Sequence, residues 1–112
     1  MNVLKYEAEN WHEIRNGVFR KIVHLEQLMT VMFEFRNGPW KEAEPYHSHL
    51  HEQTCYIAKG EIVLYCKGEP DRHLSEGDLF YIPSGREHTI CVLSPMARLI
   101  DSFSPLREDF LE

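Results

Sequence analysis

Long apolar runs, an excess of basic residues and paired cysteines are all missing from this chain of 112 residues. No stretch reaches the roughly 18 consecutive apolar residues that a membrane-spanning helix needs. Residues 1–10 lack the basic start and apolar run of a secretory signal, so we expect a cytoplasmic protein. The cysteines are odd in number and without CxxC spacing, which favours buried free thiols: Cys55, Cys66 and Cys91.

The charge balance is acidic, with 12 lysine and arginine residues against 18 aspartate and glutamate residues and a net charge of −6. Nucleic acids and anionic membrane surfaces bind to concentrated positive charge, so neither is an expected partner. A small anionic substrate stays compatible with this balance if a few arginines meet at one site. The length, with 43% hydrophobic residues, predicts a single domain over residues 1–112.

Sustained helical periodicity is also missing, and short runs of alternating apolar residues dominate between glycines and prolines. Strands are predicted over 18–24, 28–35, 53–58, 61–66, 79–82, 88–93 and 97–103. One face of the second run carries Met29, Val31, Phe33 and Phe35. Lys59-Gly60 predicts a hairpin turn between two of the strands. Many short strands at this spacing are typical of an antiparallel sandwich or a small barrel.

Only the two ends of the chain suggest other local structure. Ser104-Pro105 fits a helix N-cap followed by proline, so one or two helical turns are predicted over 106–111. Near the start, a turn is predicted over 11–13.

Histidines are abundant, seven in all, and three of them alternate along one short segment as His47, His49 and His51. In an extended chain, residues two apart project to the same face, so His47 and His49 are expected to lie together. Two such imidazoles suit a divalent transition metal, provided that other segments complete the ligand set. Gln53 and His88 are the candidates for the remaining positions.

Two of the three residues between His49 and Gln53 are harder to assign. Glu52 would face away from Gln53 in a regular strand, which favours a supporting role over direct metal ligation. The turn before Gln53 leaves the direction of His51 open. Its side chain either faces the substrate or covers the mouth of the barrel.

The spacing of these residues resembles the two motifs of a single-domain cupin. In the first motif Gln53 follows His49 by four positions and Gly60 follows Gln53 by seven. The second motif, from glycine through Pro-x-Gly to histidine, is matched by Gly77, Pro83, Gly85 and His88. The resemblance implies an all-β, cupin-type double-stranded jelly-roll barrel with a short C-terminal helical turn. It also implies a homodimer.

Three positions depart from the usual cupin pattern. Lys41 stands where the first motif begins with glycine, and Val92 replaces the asparagine that follows the last histidine. Gln53 replaces the commoner glutamate ligand. A neutral amide leaves a bound metal more positive than a carboxylate does, so its Lewis acidity should rise. Three imidazoles and one amide accept Ni, Zn, Mn or Fe, so we expect one divalent transition metal without naming it.

The C-terminal segment 99–111 resembles the ending of one small cupin group, and segment 16–22 resembles its first strand. That group acts in pectin and alginate breakdown and opens 4,5-unsaturated monouronates to linear keto acids. The resemblance implies metal ligation by His47, His49, Gln53 and His88. It implies catalytic roles for Asp101 and Arg107, and substrate binding by Phe103, with Arg20 as a further candidate. A small anionic sugar acid is the implied substrate.

Each of the C-terminal candidates also has an ordinary structural interpretation. Asp101 lies in an apolar strand, where a carboxylate is either paired, for instance with Arg107 or Arg20, or functional. Phe103 shares its face and could simply pack in the core. Arg107 could fork onto a substrate carboxylate or lie on a solvated helix surface.

Ring opening needs a base to remove the proton of the anomeric hydroxyl, and Asp101 is the candidate. Two other functions stay open. One is an iron-dependent cupin dioxygenase with an aromatic pocket lined by Met29, Phe33 and Phe35. The other is a non-catalytic cupin that binds a sugar or an acid.

Overall fold

The computed structural model of the chain describes residues 2–7 and 10–111. Within them the chain forms nine strands and one 3-10 helical turn at Glu108–Leu111. The strands are β1 (His12–Arg15), β2 (Val18–His24), β3 (Met29–Phe35), β4 (Glu52–Lys59), β5 (Ile62–Cys66), β6 (Arg72–Leu74), β7 (Leu79–Ile82), β8 (His88–Val92) and β9 (Ala97–Ser104). All seven predicted strands are confirmed, with ends that differ by one residue at most.

The strands form two antiparallel sheets, which confirms the predicted all-β architecture. The larger sheet has the order β1-β2-β3-β9-β4-β7, and the smaller has the order β6-β5-β8. Strands β4 and β9 alternate buried and more exposed residues because one face of each strand meets the interior. In the part of the chain described here, no helix is long and apolar enough to cross a membrane.

The core lies between the sheets and has two parts. The larger part is built mainly from aliphatic residues, including Ile57, Ile62 and Val92, which are completely buried. A smaller part joins Met29 and Val31 to Phe103 beside the histidine segment. The predicted inner face of β3 is confirmed, since Met29, Val31 and Phe35 are buried and Phe33 is half-buried. Cys55 and Cys91 are buried free thiols, whereas Cys66 is only half-buried, contrary to the prediction.

The predicted hairpin at Lys59-Gly60 is wrong. Strand β4 belongs to the larger sheet and β5 to the smaller one, so the two strands do not pair. Gly60 instead turns the chain from one sheet to the other, with a φ of +86°. A Cβ atom there would lie 2.4 Å from the carbonyl oxygen of Met96. This close approach, rather than a two-residue hairpin, requires the glycine.

The predictions at both ends of the chain also need correction. The predicted turn over 11–13 is wrong because His12 and Glu13 pair with β2 as part of β1. At the other end, helical structure begins at Glu108, two residues after the predicted start at residue 106, and it is a 3-10 turn. The short C-terminal helical turn is therefore confirmed, but its N-cap is not Ser104.

A buried carboxylate ties the outer face of the larger sheet together. Arg98 donates two hydrogen bonds to Glu34 Oε2, at 2.9 and 2.8 Å, and Arg36 donates one to Oε1 at 2.8 Å. The Glu34 side chain is 5% exposed. Burial raises its pKa, but the bonds from Arg98 and Arg36 outweigh burial and leave the pKa below its ordinary value.

Replacing Glu34 with glutamine should lower the free energy of unfolding by about 2–3 kcal/mol at pH 7.5. Because the pKa of Glu34 is lowered by folding, its contribution is present above about pH 5 and is lost as the pH falls through the lowered pKa. The difference in the free energy of unfolding between the natural chain and Glu34→Gln should therefore be smaller at pH 3 than at pH 7.5. Urea unfolding at both pH values measures this difference. Glu87→Gln, which breaks an exposed pair with Lys67, should cost less than about 1 kcal/mol.

Candidate metal centre and substrate pocket

Three histidines from two separate segments meet at one end of the barrel. His47 lies in the loop before β4 and exchanges two backbone hydrogen bonds with His88 on β8, at 3.0 and 2.9 Å. His49 lies two residues further, where its carbonyl oxygen accepts a hydrogen bond from the Gly85 N–H at 2.8 Å. These bonds join the two sequence motifs. One ligand nitrogen of each of His47, His49 and His88 lies within 4.8 Å of the others.

The segment that carries the alternating histidines is less regular than predicted. Only His47 forms a bridge to another strand, and the regular part of β4 begins at Glu52. The rings of His47 and His49 still lie near each other, with centroids 6.0 Å apart. The bonds of this loop to β8 and to the turn at Gly85 replace the regular strand pairing.

The hydrogen bonds of the imidazoles orient them for metal binding. Nδ1 of His49 donates to the carbonyl oxygen of His51 at 3.0 Å, and Nδ1 of His88 donates to that of Arg86 at 2.8 Å. A carbonyl group only accepts, so the proton lies on Nδ1 and Nε2 offers a lone pair. Burial lowers the pKa of His88 to about 4, which keeps this imidazole neutral near pH 7. Neutral imidazoles are the form that binds metals.

Gln53 completes the cluster from β4. Its Oε1 lies 3.1 Å from Nε2 of His49. In the tautomer fixed by His51, both atoms are electron-pair donors, and a cation between them satisfies both. Two ligands bonded at about 2.1 Å to one ion are separated by about 3.0–3.4 Å, which matches this spacing. The residues present therefore fit a divalent transition metal.

The structure shows where the two residues beside Gln53 lie. Glu52 is exposed while Gln53 is buried, so the two residues face opposite sides of β4 as predicted. The ring of His51 stacks on that of His49, with centroids 3.8 Å apart and planes at 16°. His51 is buried, and its Nε2 has no hydrogen-bond partner among the described residues. His51 therefore packs behind the His49 ring and does not line the cavity beside the cluster.

That cavity has a volume of about 230 Å³ and lies between the sheets. It is smaller than the roughly 300–1,000 Å³ usual for drug-sized ligands, so it suits a molecule with a single small ring. Phe33 and Phe35 line it, whereas Met29 does not. The structure brings seven of the eight predicted site residues to its lining: Arg20, His47, Gln53, His88, Asp101, Phe103 and Arg107. His49, the eighth, lies beside them in the histidine cluster.

Asp101 is a buried acid without an ion-pair partner. It lies on β9 directly opposite Cys55 on β4, and it is 6% exposed. Within the described residues it forms no salt bridge with Arg107 or Arg20, and its Oδ1 has no hydrogen-bond partner. Burial raises its pKa to about 6, although the Cys55 thiol, the Gln53 amide and the charge of Arg107 oppose this rise. The salt-bridge interpretation of Asp101 is therefore wrong.

The two arginines lie beside the C-terminal turn. Nη2 of Arg107 donates to Oδ2 of Asp109 at 3.0 Å, and its Nε is buried with no partner among the described residues. The side chain of Arg107 is 20% exposed, so the interpretation as a solvated surface residue is wrong. Nη2 of Arg20 donates to the carbonyl oxygen of Phe110 at 3.2 Å. An unpartnered Nε is a donor that an anionic ligand can use.

Phe103 is a core residue that also touches the histidine segment. It is 1% exposed and packs with Met29 and Val31. The ring of His51 meets it at 5.0 Å between centroids and nearly at a right angle, and that of His49 at 6.0 Å. The Phe103 side chain therefore packs in the core and also supports the rings of His49 and His51.

Three residues at the open side of the cavity have no role that the sequence predicts: Arg15, Glu44 and Phe110. Arg15 and Glu44 form an exposed ion pair of 2.7 Å at its rim. Phe110, on the C-terminal turn, lies between the arginines and the aromatic lining. Nothing in their local sequence indicates a site, because only the folded chain brings β1, the loop before β4 and the C-terminal turn together.

Comparison with known proteins agrees with the cupin-like spacing of the two motifs. The family model described as "Cupin domain" matches residues 35–100. Among curated proteins, the pectin degradation protein KdgF of Dickeya dadantii (strain 3937) is 34% identical over 102 residues, which is 90% of this chain and 90% of that protein.

Solved structures agree with this match. The structure of KdgF from a Halomonas species superposes with a TM-score of 0.79 and 35% identity, covering 89% of this chain and 91% of the other. An RmlC-like cupin from Shewanella frigidimarina NCIMB 400 superposes with a TM-score of 0.78 and 31% identity, covering 94% and 93%.

Proposed function

The chain belongs to the cupin family, and on this premise we propose that it is a metal-dependent enzyme that opens the ring of 4,5-unsaturated monouronates. The observation that carries the proposal is the convergence on one cavity of a side-chain cluster that fits a metal, a buried carboxyl group with no ion-pair partner among the described residues, and the guanidinium groups of Arg20 and Arg107. The similarity to a pectin degradation protein over most of both chains supports this substrate class. The predicted homodimer, cytoplasmic location and single domain over residues 1–112 stay predictions.

Four side chains would hold the metal: His47, His49, Gln53 and His88. The bound ion would supply Lewis acidity toward an oxygen on which negative charge develops. The backbone carbonyls of His51 and Arg86 fix the tautomers of His49 and His88 and hold these rings in place.

Asp101 would act on the anomeric hydroxyl of the substrate. The carboxylate takes the hydroxyl proton while C1=O forms and the bond from C1 to the ring oxygen breaks. The electron pair of that bond stays on the former ring oxygen, which gives an enolate at C5. Return of the proton to C4 converts the enolate into a ketone. The product has the same atoms as the substrate and no net oxidation occurs.

The arginines would bind the carboxylate that C5 carries. The buried Nε of Arg107 beside the cavity has no partner in the described part of the chain, and Arg20 lies on the same side of the cavity, near the C-terminal turn. A forked guanidinium binds a carboxylate with two parallel hydrogen bonds. Phe103 supports the histidines and gives the cavity an apolar wall.

The proposal predicts that the purified protein, loaded in turn with Ni, Zn, Mn or Fe, consumes 4,5-unsaturated galacturonate. The conjugated enol ether absorbs in the ultraviolet, and its loss as the ring opens gives the rate. A chelator should stop the reaction, and the matching metal should restore it. Oxygen uptake with the iron-loaded protein would favour the dioxygenase instead. Thermal stabilisation by the uronate without turnover would favour the non-catalytic binder.

A further inference from the structure

We propose that Phe110 determines substrate size. Its side chain forms a wall of the cavity and leaves room for only one sugar-acid ring. The inference rests on the proposed function and deepens it, because it states which uronates the site admits. Unsaturated oligouronates carry the same C4=C5 end and carboxylate as the monouronate. Their C1 is held in a glycosidic bond, so they would occupy the site without reacting. A side chain that blocks the second ring would prevent inhibition of the enzyme by these oligouronates.

Phe110 closes the cavity by contact with its aromatic lining. Its ring meets Phe33 and Phe103 nearly at right angles, with centroids 6.0 and 5.8 Å apart. The guanidinium carbon of Arg107 lies 4.0 Å from its centroid, and that of Arg20 lies 4.5 Å away. Edge-to-face aromatic contacts and cation–π contacts hold the ring at this place.

Apart from the packing of the Phe110 ring, few contacts hold the C-terminal turn on the barrel. No residue of the turn Glu108–Leu111 is buried. Among the described residues, two side-chain bonds tie the turn to the rest of the chain, from Arg20 to the Phe110 carbonyl oxygen and from Arg107 to Asp109. One backbone bond, from the Phe110 N–H to the Arg107 carbonyl oxygen, closes the turn itself. Both side-chain bonds come from the arginines assigned to the substrate carboxylate. Removing the Phe110 ring should therefore open the cavity without unfolding the barrel.

The position of Phe110 at the rim makes it the barrier to a second ring. The inner end of the cavity is closed by core residues such as Val18 and Leu99. A second ring bonded to C1 must therefore leave through the rim, where the lining residues are partly exposed. The rim carries the Arg15–Glu44 ion pair and Phe110. C1 and C5 are both bonded to the ring oxygen, so a second ring on C1 starts beside the carboxylate that the arginines bind. Phe110 packs on these two arginines, so the second ring meets Phe110 rather than the ion pair.

The test compares two ligands and five proteins, each loaded with the same metal. The ligands are galacturonate, with one ring, and 4,5-unsaturated digalacturonate, which cannot open. The proteins are the natural chain, Phe110→Ala, Phe110→Tyr, Leu111→Ala as a control in the same turn, and Glu44→Gln as a control at the rim. Isothermal titration calorimetry gives each Kd, and circular dichroism with thermal melting verifies folding.

We expect the natural chain to bind galacturonate at least about 30-fold more tightly than the disaccharide, as a steric wall in a closed pocket requires. Phe110→Ala should reduce this ratio to about 3-fold or less, and Phe110→Tyr should restore it, while both controls keep it. The ratio should persist in high salt because the exclusion is steric.

Equal binding of the two ligands by the natural chain, or an unchanged ratio in folded Phe110→Ala, would overturn the proposal. Loss of the ratio in Glu44→Gln alone would overturn it too, because the barrier would then be the ion pair. Failure of galacturonate to bind, together with no turnover of the unsaturated monouronate, would remove the proposed function as well. Binding and turnover of the monouronate with no size discrimination would remove this inference alone.

Discussion

Asp101→Asn is expected to lower kcat for ring opening by about 10²–10⁴-fold, the range that a positioned general base contributes. Asparagine has nearly the shape of aspartate, so the contacts with Cys55 and Gln53 and the packing of β9 should persist. The amide cannot accept the proton of the anomeric hydroxyl. KM should change less than kcat, because the substrate carboxylate is assigned to the arginines. Initial rates from the ultraviolet assay measure both constants.

Two controls make this result specific to Asp101. Asp71→Asn removes an exposed carboxylate outside the cavity and should leave the rate within about 2-fold. Metal content by elemental analysis should equal that of the natural chain in both variants. An Asp101→Asn protein that retains its metal and the full rate would show that another group is the base.

His49→Ala should abolish stoichiometric metal binding and, with it, measurable ring opening. Losing a supporting residue of a metal site already costs about 10–100-fold in affinity, and losing a ligand should cost more. His49 also contacts Gln53 and both other histidines, so its removal leaves the cluster incomplete. Titration with Ni, Zn, Mn and Fe, followed by elemental analysis after dialysis, measures the stoichiometry.

The matched control is His73→Ala. His73 is an exposed histidine paired with Glu61 on the smaller sheet, away from the cluster. It should keep the metal stoichiometry and the rate of the natural chain. If His49→Ala bound one equivalent of metal as tightly as the natural chain, the proposed ligand set would be wrong.

Local patterns in the sequence predicted most of the fold. Alternation predicted seven of the nine strands among the described residues because the side chains of these strands face a core on one side only. Strands β1 and β6 were missed, since HEIR and RHL contain no apolar alternation and are extended only by pairing with a neighbour. The role of Gly60 was also misjudged, because its close approach to Met96 and Ala97 exists only after folding.

The candidate site was predictable where its residues follow fixed spacings. His47, His49 and Gln53 lie within one short segment, and His88 follows a turn that recurs in the second motif. The direction of His51 and the location of Phe110 were not predictable. Phe110 meets Arg20 across 90 positions of sequence, and no local signal encodes such a contact.

The position of β9 determines when the larger sheet can be completed during synthesis. It follows all the other strands in the chain, yet it is hydrogen-bonded between β3 and β4 in the middle of the larger sheet. On the ribosome, those two strands keep open edges until residues 97–104 leave the exit tunnel. A prematurely terminated chain would present both edges to other nascent chains, which favours aggregation. Asp101 arrives on the same strand, so a truncated product without β9 would lack the proposed base altogether.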